Sequence, residues 1–401
     1  MAKKIYLLIC VAFLSISLFG CNETERTYEE FPVYSDSIEK IEFVGMLTGV
    51  NAYDNTLEKW DIGGTDLGIP YYDEQRGQMY FLFGDTFRNN NGGSGNWRSQ
   101  VVGVTKDLDA SDGIKFDSFI SEDKRNGYAT QIIDAMHDSN DAEYEITVIP
   151  TGAIVIDGIH YVYYMSVRIW HTIGWDVNYC GVAKSTDGQK FEIIEDLFWS
   201  DPKELGQLNT GDLLDQDAEV VLEHTGGNFL QIFPYRVGDY VYIFGIPNAR
   251  FGGCKLGRVL ASEIEDFSKY EYYTGKDANE EPVWVQGADG LRALDNNDES
   301  YIFEPQVGEL SVSYNEYLGK YVMSFYSLDR IVVTYSENLI DWSDLEILIS
   351  SNDLPVLYGG FTHELYMEEK GKVMYFYVSW YYQTPHVDDA YNVNIMRVTF
   401  K

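Results

Sequence analysis

Four carboxylates sit at the ends of strand-like runs: Asp66 in TDLGIP, Asp85 in FGDTF, Glu309 in GELSVSY and Glu364 in THELY. Two carboxylates facing a cleft are the minimal equipment for cleaving an acetal. One, protonated, serves the leaving oxygen; the other serves as base or nucleophile. Neighbouring acids favour that division, because their repulsion raises one pKa enough to keep it protonated near neutrality. For each residue the alternative is a structural carboxylate bonded to backbone N–H groups, and Gly84-Asp85-Thr86 is also a good turn sequence. His171 and His363 are candidate bases or sugar hydrogen-bonders. Trp97, Trp170 and Trp380 offer flat faces that stack on sugars or pack a sheet edge. No catalytic-triad signature, phosphate-binding loop, dinucleotide fingerprint or His-Glu-x-x-His pair is present. No cofactor is expected, although an acidic channel is compatible with a structural Ca²⁺ or Na⁺.

The elements that must position these residues recur. A strand, a tight turn, a very apolar strand, a loop and a third strand follow one another in five copies, about 60–85 residues apart. The copies begin TDLGIPYYDEQRGQMYFLFGD at Thr65, TGAIVIDGIHYVYYMSV at Thr151, LQIFPYRVGDYVYIFGI at Leu230, GELSVSYNEYLGKYVMSFY at Gly308 and HELYMEEKGKVMYFYVSW at His363. Third strands read SQVVGVT, YCGVAKS, LGRVLAS, IVVTYSE and VNIMRVTF. Short strands at a long fixed period predict an all-β, five-bladed β-propeller, with a β-sandwich or jelly roll as the alternative. IEKIEFVGMLTG, from Ile38, reads as a strand that pairs with VNIMRVTF and closes the ring of a single domain spanning residues 37–401.

In such blades the start of the innermost strand and the end of the next lie on one face. That geometry gathers Asp66, Thr151, Gln231, Glu309, His363 and Glu364 with Asp85, Arg168, Asn248 and Trp380 at one channel mouth, joined by Trp97, Arg98 and His171 from third-strand starts. Carboxylates at an innermost layer call for a reason, since charge is costly there. Asp66 and Glu309 open innermost strands on opposed blades and are the expected carboxylate pair, with Asp85 beside Asp66 and Glu364 or Asp85 as replacements for Glu309. Opposed blades favour the longer carboxyl separation, and hence inversion. The remaining residues of the ring are expected to bind substrate.

The first residues bear on location. Lys3 and Lys4 precede an apolar run from Ile5 to Gly20, which is the size of a signal-peptide core. Leu18-Phe19-Gly20-Cys21 matches a bacterial lipobox, so cleavage at residue 20 and acylation of Cys21 are expected. Residues 21–36 read as a polar tether, placing the protein on the cell envelope, facing the periplasm or the cell surface. Membrane contact would run through that anchor alone. Cys180 and Cys254 remain, too few for a disulfide framework, and are expected as buried free thiols. The formal net charge of −35 repels phosphates and excludes nucleic acid as a sensible partner. A neutral polysaccharide is compatible, and 32 tyrosines with 8 tryptophans suit both strand packing and sugar stacking. A monomer is expected.

WDIGGTDLGIP from Trp60, FGDTF from Phe83, GNWRSQ from Gly95, VGELSVSYN from Val307 and THELY from Thr362 together resemble a bacterial family long listed as a domain of unknown function. Some of its members are endo-D-arabinanases, propeller enzymes that cut α-linked D-arabinofuranose polymers. The resemblance spans about residues 40–401 and implies the propeller fold and arabinan hydrolysis. The wider set of five-bladed arabinan- and fructan-cleaving hydrolases places an Asp on the innermost strand of the first blade as base or nucleophile, a position that Asp66 matches; the resemblance thus implies that role for Asp66, and Glu309 fits the acid by position. Fold alone does not set function. A surface glycan-binding lipoprotein without turnover is the second class. A sialidase-like propeller is the third, and Arg168, Arg250 and Arg330 lie in no recognisable motif for it.

Overall fold

A computed structural model describes residues 28–89, 94–121, 128–135, 137, 145–171, 174–200, 226–304, 306–381 and 391–401. The N-terminal strands β1 (Glu29–Phe31) and β2 (Ile38–Met46) come first in the chain but belong to the last blade. Blade one holds β3 (Leu67–Asp73), β4 (Gln78–Phe83), β5 (Val101–Thr105) and β6 (Ser118–Phe119). Blade two holds β7 (Thr147–Ile156), β8 (Ile159–Trp170), β9 (Trp175–Ser185) and β10 (Glu192–Ser200). Blade three holds β11 (Gln231–Val237), β12 (Tyr240–Ile246), β13 (Cys254–Leu260), β14 (Glu271–Lys276) and β15 (Pro282–Gln286), with β16 (Tyr301–Phe303) added on β13. Blade four holds β17 (Leu310–Asn315), β18 (Lys320–Ser327), β19 (Arg330–Ser336) and β20 (Glu346–Ser350). Blade five holds β21 (Leu357–Phe361), β22 (Met367–Glu368), β23 (Val373–Tyr381) and β24 (Tyr391–Phe400).

All neighbours within a blade are antiparallel, and the innermost strands β3, β7, β11, β17 and β21 touch one another in a closed cycle. The architecture is a five-bladed β-propeller. β2 pairs with β24 from Ile38↔Phe400 to Met46↔Asn394, so the two ends of the chain close the ring as the sequence pattern predicts. This leaves no unpaired edge on β24. The tether is shorter than predicted, because Glu29–Phe31 already pairs with Ile41–Phe43. Its beginning, with Cys21 and the apolar leader, lies outside the described residues.

Blades are glued by aromatic and branched side chains. Between blades two and three, Tyr163, Trp199, Phe229, Tyr270 and Tyr272 are all fully buried. Trp199 donates from Nε1 to the Tyr272 hydroxyl at 2.8 Å, so its polar edge is satisfied inside the core. Cys180 and Cys254 are buried and free.

Blade five departs from the sequence reading. Its inner strand begins at Leu357, upstream of the hairpin predicted at His363, and is interrupted. Phe361 pairs with Tyr377 and Met367 with Met374, so six steps on one strand face three on the other. Thr362 to Leu365 loop out of the ladder, and Tyr366 rejoins it by accepting from the Tyr375 N–H at 3.2 Å. The charged THELY segment had the look of a strand start because strands flank it on both sides.

Candidate functional site at the channel mouth

Asp66 is aimed by its backbone. Leu67 and Gly68 both have positive φ (68° and 72°), and a bulge lies between Leu67 and Ile69. A left-handed leucine is strained by about 1–3 kcal/mol and persists only where its surroundings insist on it. Here they do: the Leu67 N–H donates to Ser379 Oγ at 2.8 Å, and a Cβ on Gly68 would lie 2.9 Å from Val393 Cγ1. The bulge turns Asp66 out of the ladder and into the mouth. Across the hairpin, an ideal Cβ on Gly84 would stand 2.4 Å from Asp66 Oδ1. Glycine is needed there because the carboxylate occupies that space. Buried Thr65 and Thr86 join their hydroxyls at 2.7 Å, so the TDLG and FGDT segments fix each other.

Asp66 and Asp85 line one cavity of about 1350 Å³ together with Trp97, Gln231, Arg250, Glu309 and Tyr358. Burial is the main cause that pushes the Asp66 carboxyl up to about 6. Hydrogen bonds from Tyr358 and Tyr391 oppose it, and the Glu309 charge adds to it. Tyr358 donates to Asp66 Oδ2 at 2.8 Å, and Oδ1 is buried without a hydrogen-bond partner. Burial likewise pushes Asp85 up to about 7; Thr147 and Trp97 donate to it and pull the other way, while the Asp66 charge reinforces the rise. Thr147 Oγ1 and Trp97 Nε1 reach Asp85 Oδ1 at 2.6 and 2.8 Å. Both donors fall on Oδ1, which leaves Oδ2 for a proton.

Glu309 faces the same cavity but is held differently. Arg250 Nε lies 3.1 Å from each of its oxygens, a forked pair. The guanidinium is boxed by Tyr326, Trp175 and Tyr358, with ring centroids at 4.5, 5.1 and 5.2 Å. Gln231 donates from Nε2 to the Ala249 carbonyl at 2.6 Å and so steadies the loop that delivers Arg250.

Three predicted binders meet at Asp176, which no sequence signal singles out. Asp176 Oδ2 accepts from His171 Nε2 at 2.9 Å and Arg168 at 3.3 Å, and Oδ1 accepts from Asn248 Nδ2 at 3.1 Å. Burial alone would raise the Asp176 carboxyl, but the bonds from His171 and Asn248 outweigh it and hold it below its usual range. Of the three, His171 also lines the cavity.

Four predicted binders lie elsewhere. Arg98 is buried and donates to the carbonyls of Asp61 and Ala129 at 2.7 and 3.1 Å, which makes it a tie within the framework. Trp380 packs into the cluster between blades four and five. His363 and Glu364 stand at the opposite end of the inner strands. They line a second cavity of about 230 Å³ with Tyr72, Tyr235 and Val312. Glu364 Oε1 accepts from the Tyr235 hydroxyl and, at 3.0 Å, from the Tyr314 N–H, so it bridges blades three and four. The interruption in blade five is the cause of this displacement. Among the described residues, no group of three or more His, Cys, Asp or Glu is arranged to hold a metal ion.

The fold and mouth define a propeller with an acidic, aromatic-walled cup, and similar propellers are known. A candidate hydrolase from Bacteroides ovatus superposes with a TM-score of 0.57 at 13% identity, over 92% of this chain and 93% of that one. A family 117 glycoside hydrolase from Zobellia galactanivorans covers 91% and 92% at 10% identity, but its TM-score of 0.45 is too low to bear on activity. In sequence, the Notoamide biosynthesis cluster protein J' of Aspergillus versicolor is 27% identical over 337 residues, 80% of this chain and 82% of that protein. Residues 51–397 match the family described as domain of unknown function (DUF4185), and the chain belongs to it.

Proposed function

We propose that the protein is a glycoside hydrolase that cuts within a neutral D-arabinofuranose polysaccharide, with Asp66 and Asp85 as its carboxylate pair. The observation that carries this reading is the pairing itself. Two carboxyls on adjoining strands face one cup, and burial holds both above their ordinary range, near 6 and 7. The group with the higher value, Asp85, donates its proton to the leaving oxygen. Asp66, ionised first, serves as base or nucleophile. This moves the acid role away from Glu309, whose two oxygens are both engaged by Arg250. Glu309 then positions Arg250 and its aromatic box under the sugar. Arg168 and Arg250 are both ion-paired, which fits a substrate without carboxylates. The arabinan identity rests on the family resemblance. The protein works from the cell envelope, held by acylated Cys21 and needing no cofactor.

Digestion of arabinan, arabinogalactan and fructan by wild type, Asp66→Asn and Asp85→Asn tests the reading. Products from the first two polymers are expected with wild type alone, while both variants still bind glycan. Near-normal hydrolysis by Asp85→Asn would return the acid role to Glu309. Absence of product from every polymer would leave a binding protein.

A further inference from the structure

The hairpin of β8 and β9 is built longer than its counterparts. β8 has 12 residues and β9 has 11, against 6 and 5 for β4 and β5, and 7 and 7 for β12 and β13. The inner strand β7 stops pairing at Thr147↔Val167. Arg168, Ile169 and Trp170 therefore rise beyond the blade's inner edge as a wall about 10 Å tall, at roughly 3.3 Å per residue. Its ladder ends on Trp170↔Trp175, whose rings sit 5.3 Å apart.

The wall is tied to its neighbours at its base and apolar at its top. Asp176 ties Arg168, His171 and Asn248 together, and buried Trp175 lies against Arg250. Above them Trp170 is 44% exposed. Phe251, 54% exposed, packs on the turn, close enough that a Cβ on Gly174 would meet its ring at 2.8 Å. An exposed tryptophan braced by ordered neighbours marks a binding surface more than a packing residue. Trp170 also lines the same cavity as Asp66 and Asp85, so the surface is continuous with the carboxylates.

We propose that Trp170, backed by Trp175 and flanked by Phe251, is a sugar-stacking platform that holds the glycan chain beyond the bond being cut. The proposal rests on the glycosidase reading above and names the part of the site that selects polymer over short substrates. The occupant is a neutral sugar chain. Arg168 and Arg250 at the wall are already paired, and the overall charge of −35 repels an acidic polymer.

The test compares kcat/KM on linear arabinan with kcat/KM on an aryl arabinofuranoside, which is too short to reach the wall. Trp170→Ala is expected to lower the polymer-to-aryl ratio about tenfold, and Trp170→Phe to lower it less. An unchanged ratio would overturn the platform. So would a shift from dimer to monomer on sedimentation of Trp170→Ala, since a second copy would then be the occupant. If no substrate is cleaved, the hydrolase reading fails by itself, and electrophoretic retardation in arabinan gels decides the platform. Weaker retardation of Trp170→Ala supports it and equal retardation overturns it.

Discussion

At the scale of residues, the two raised carboxyls set the pH response. The proposed mechanism needs Asp66 ionised and Asp85 protonated, so kcat/KM should rise through about pH 6 and fall through about pH 7, a narrow bell measured with an aryl substrate. A broad plateau reaching pH 9 would contradict the assignment. The same shifts act on stability with a definite sign. Carboxyls whose folded pKa is raised bind more protons in the native state than unfolded, so their contribution falls as pH rises from about 4 to 7. Asp85→Asn should therefore raise Tm at pH 8 and give little gain below pH 4. A lower Tm at pH 8 would refute the burial argument. Gly84→Ala puts a methyl where Asp66 Oδ1 sits and should lower kcat by about 10²-fold with a much smaller effect on Tm. Asp66 and Asp85 were legible as acids beside strand ends. Tyr358 was not, because its bond to Asp66 joins residues 292 positions apart. Asp176 was hidden for a related reason: its role comes from blade three reaching back through Asn248.

At the scale of elements, four of the five predicted hairpins coincide with observed strand pairs, since an apolar run, a glycine turn and a second apolar run specify a register locally. The fifth failed where the ladder breaks at Thr362. A surplus of residues on one strand has no signature in hydrophobic alternation, and the error carried His363 and Glu364 to the wrong end of the channel. Blade-to-blade packing gives a direct expectation. Trp199→Ala removes the largest side chain between blades two and three and should cost about 3–5 kcal/mol, read as a lower urea midpoint. A loss below about 1 kcal/mol would mean that the two blades relax against each other.

At the scale of the whole molecule, ring closure joins the two ends of the chain, and the register from Ile38 to Met46 states where. Removing residues up to Met46 should expose the edge of β24 and produce aggregation with a lowered Tm; a soluble protein of unchanged Tm would show that closure is dispensable. The clasp was readable because the strand from Ile38 has no hairpin partner near it in sequence, while VNIMRVTF, the last third strand, has one side left to pair. The far end of the propeller has a different consequence. Glu364 accepts from the Tyr235 hydroxyl and the Tyr314 N–H, so a side chain of blade five clips blades three and four together at that end. A carboxylate of the kind that equips a catalytic mouth is here a staple between neighbouring staves of the ring. Cutting that staple should loosen the ring at its far end and leave the cup that holds Asp66 and Asp85 intact.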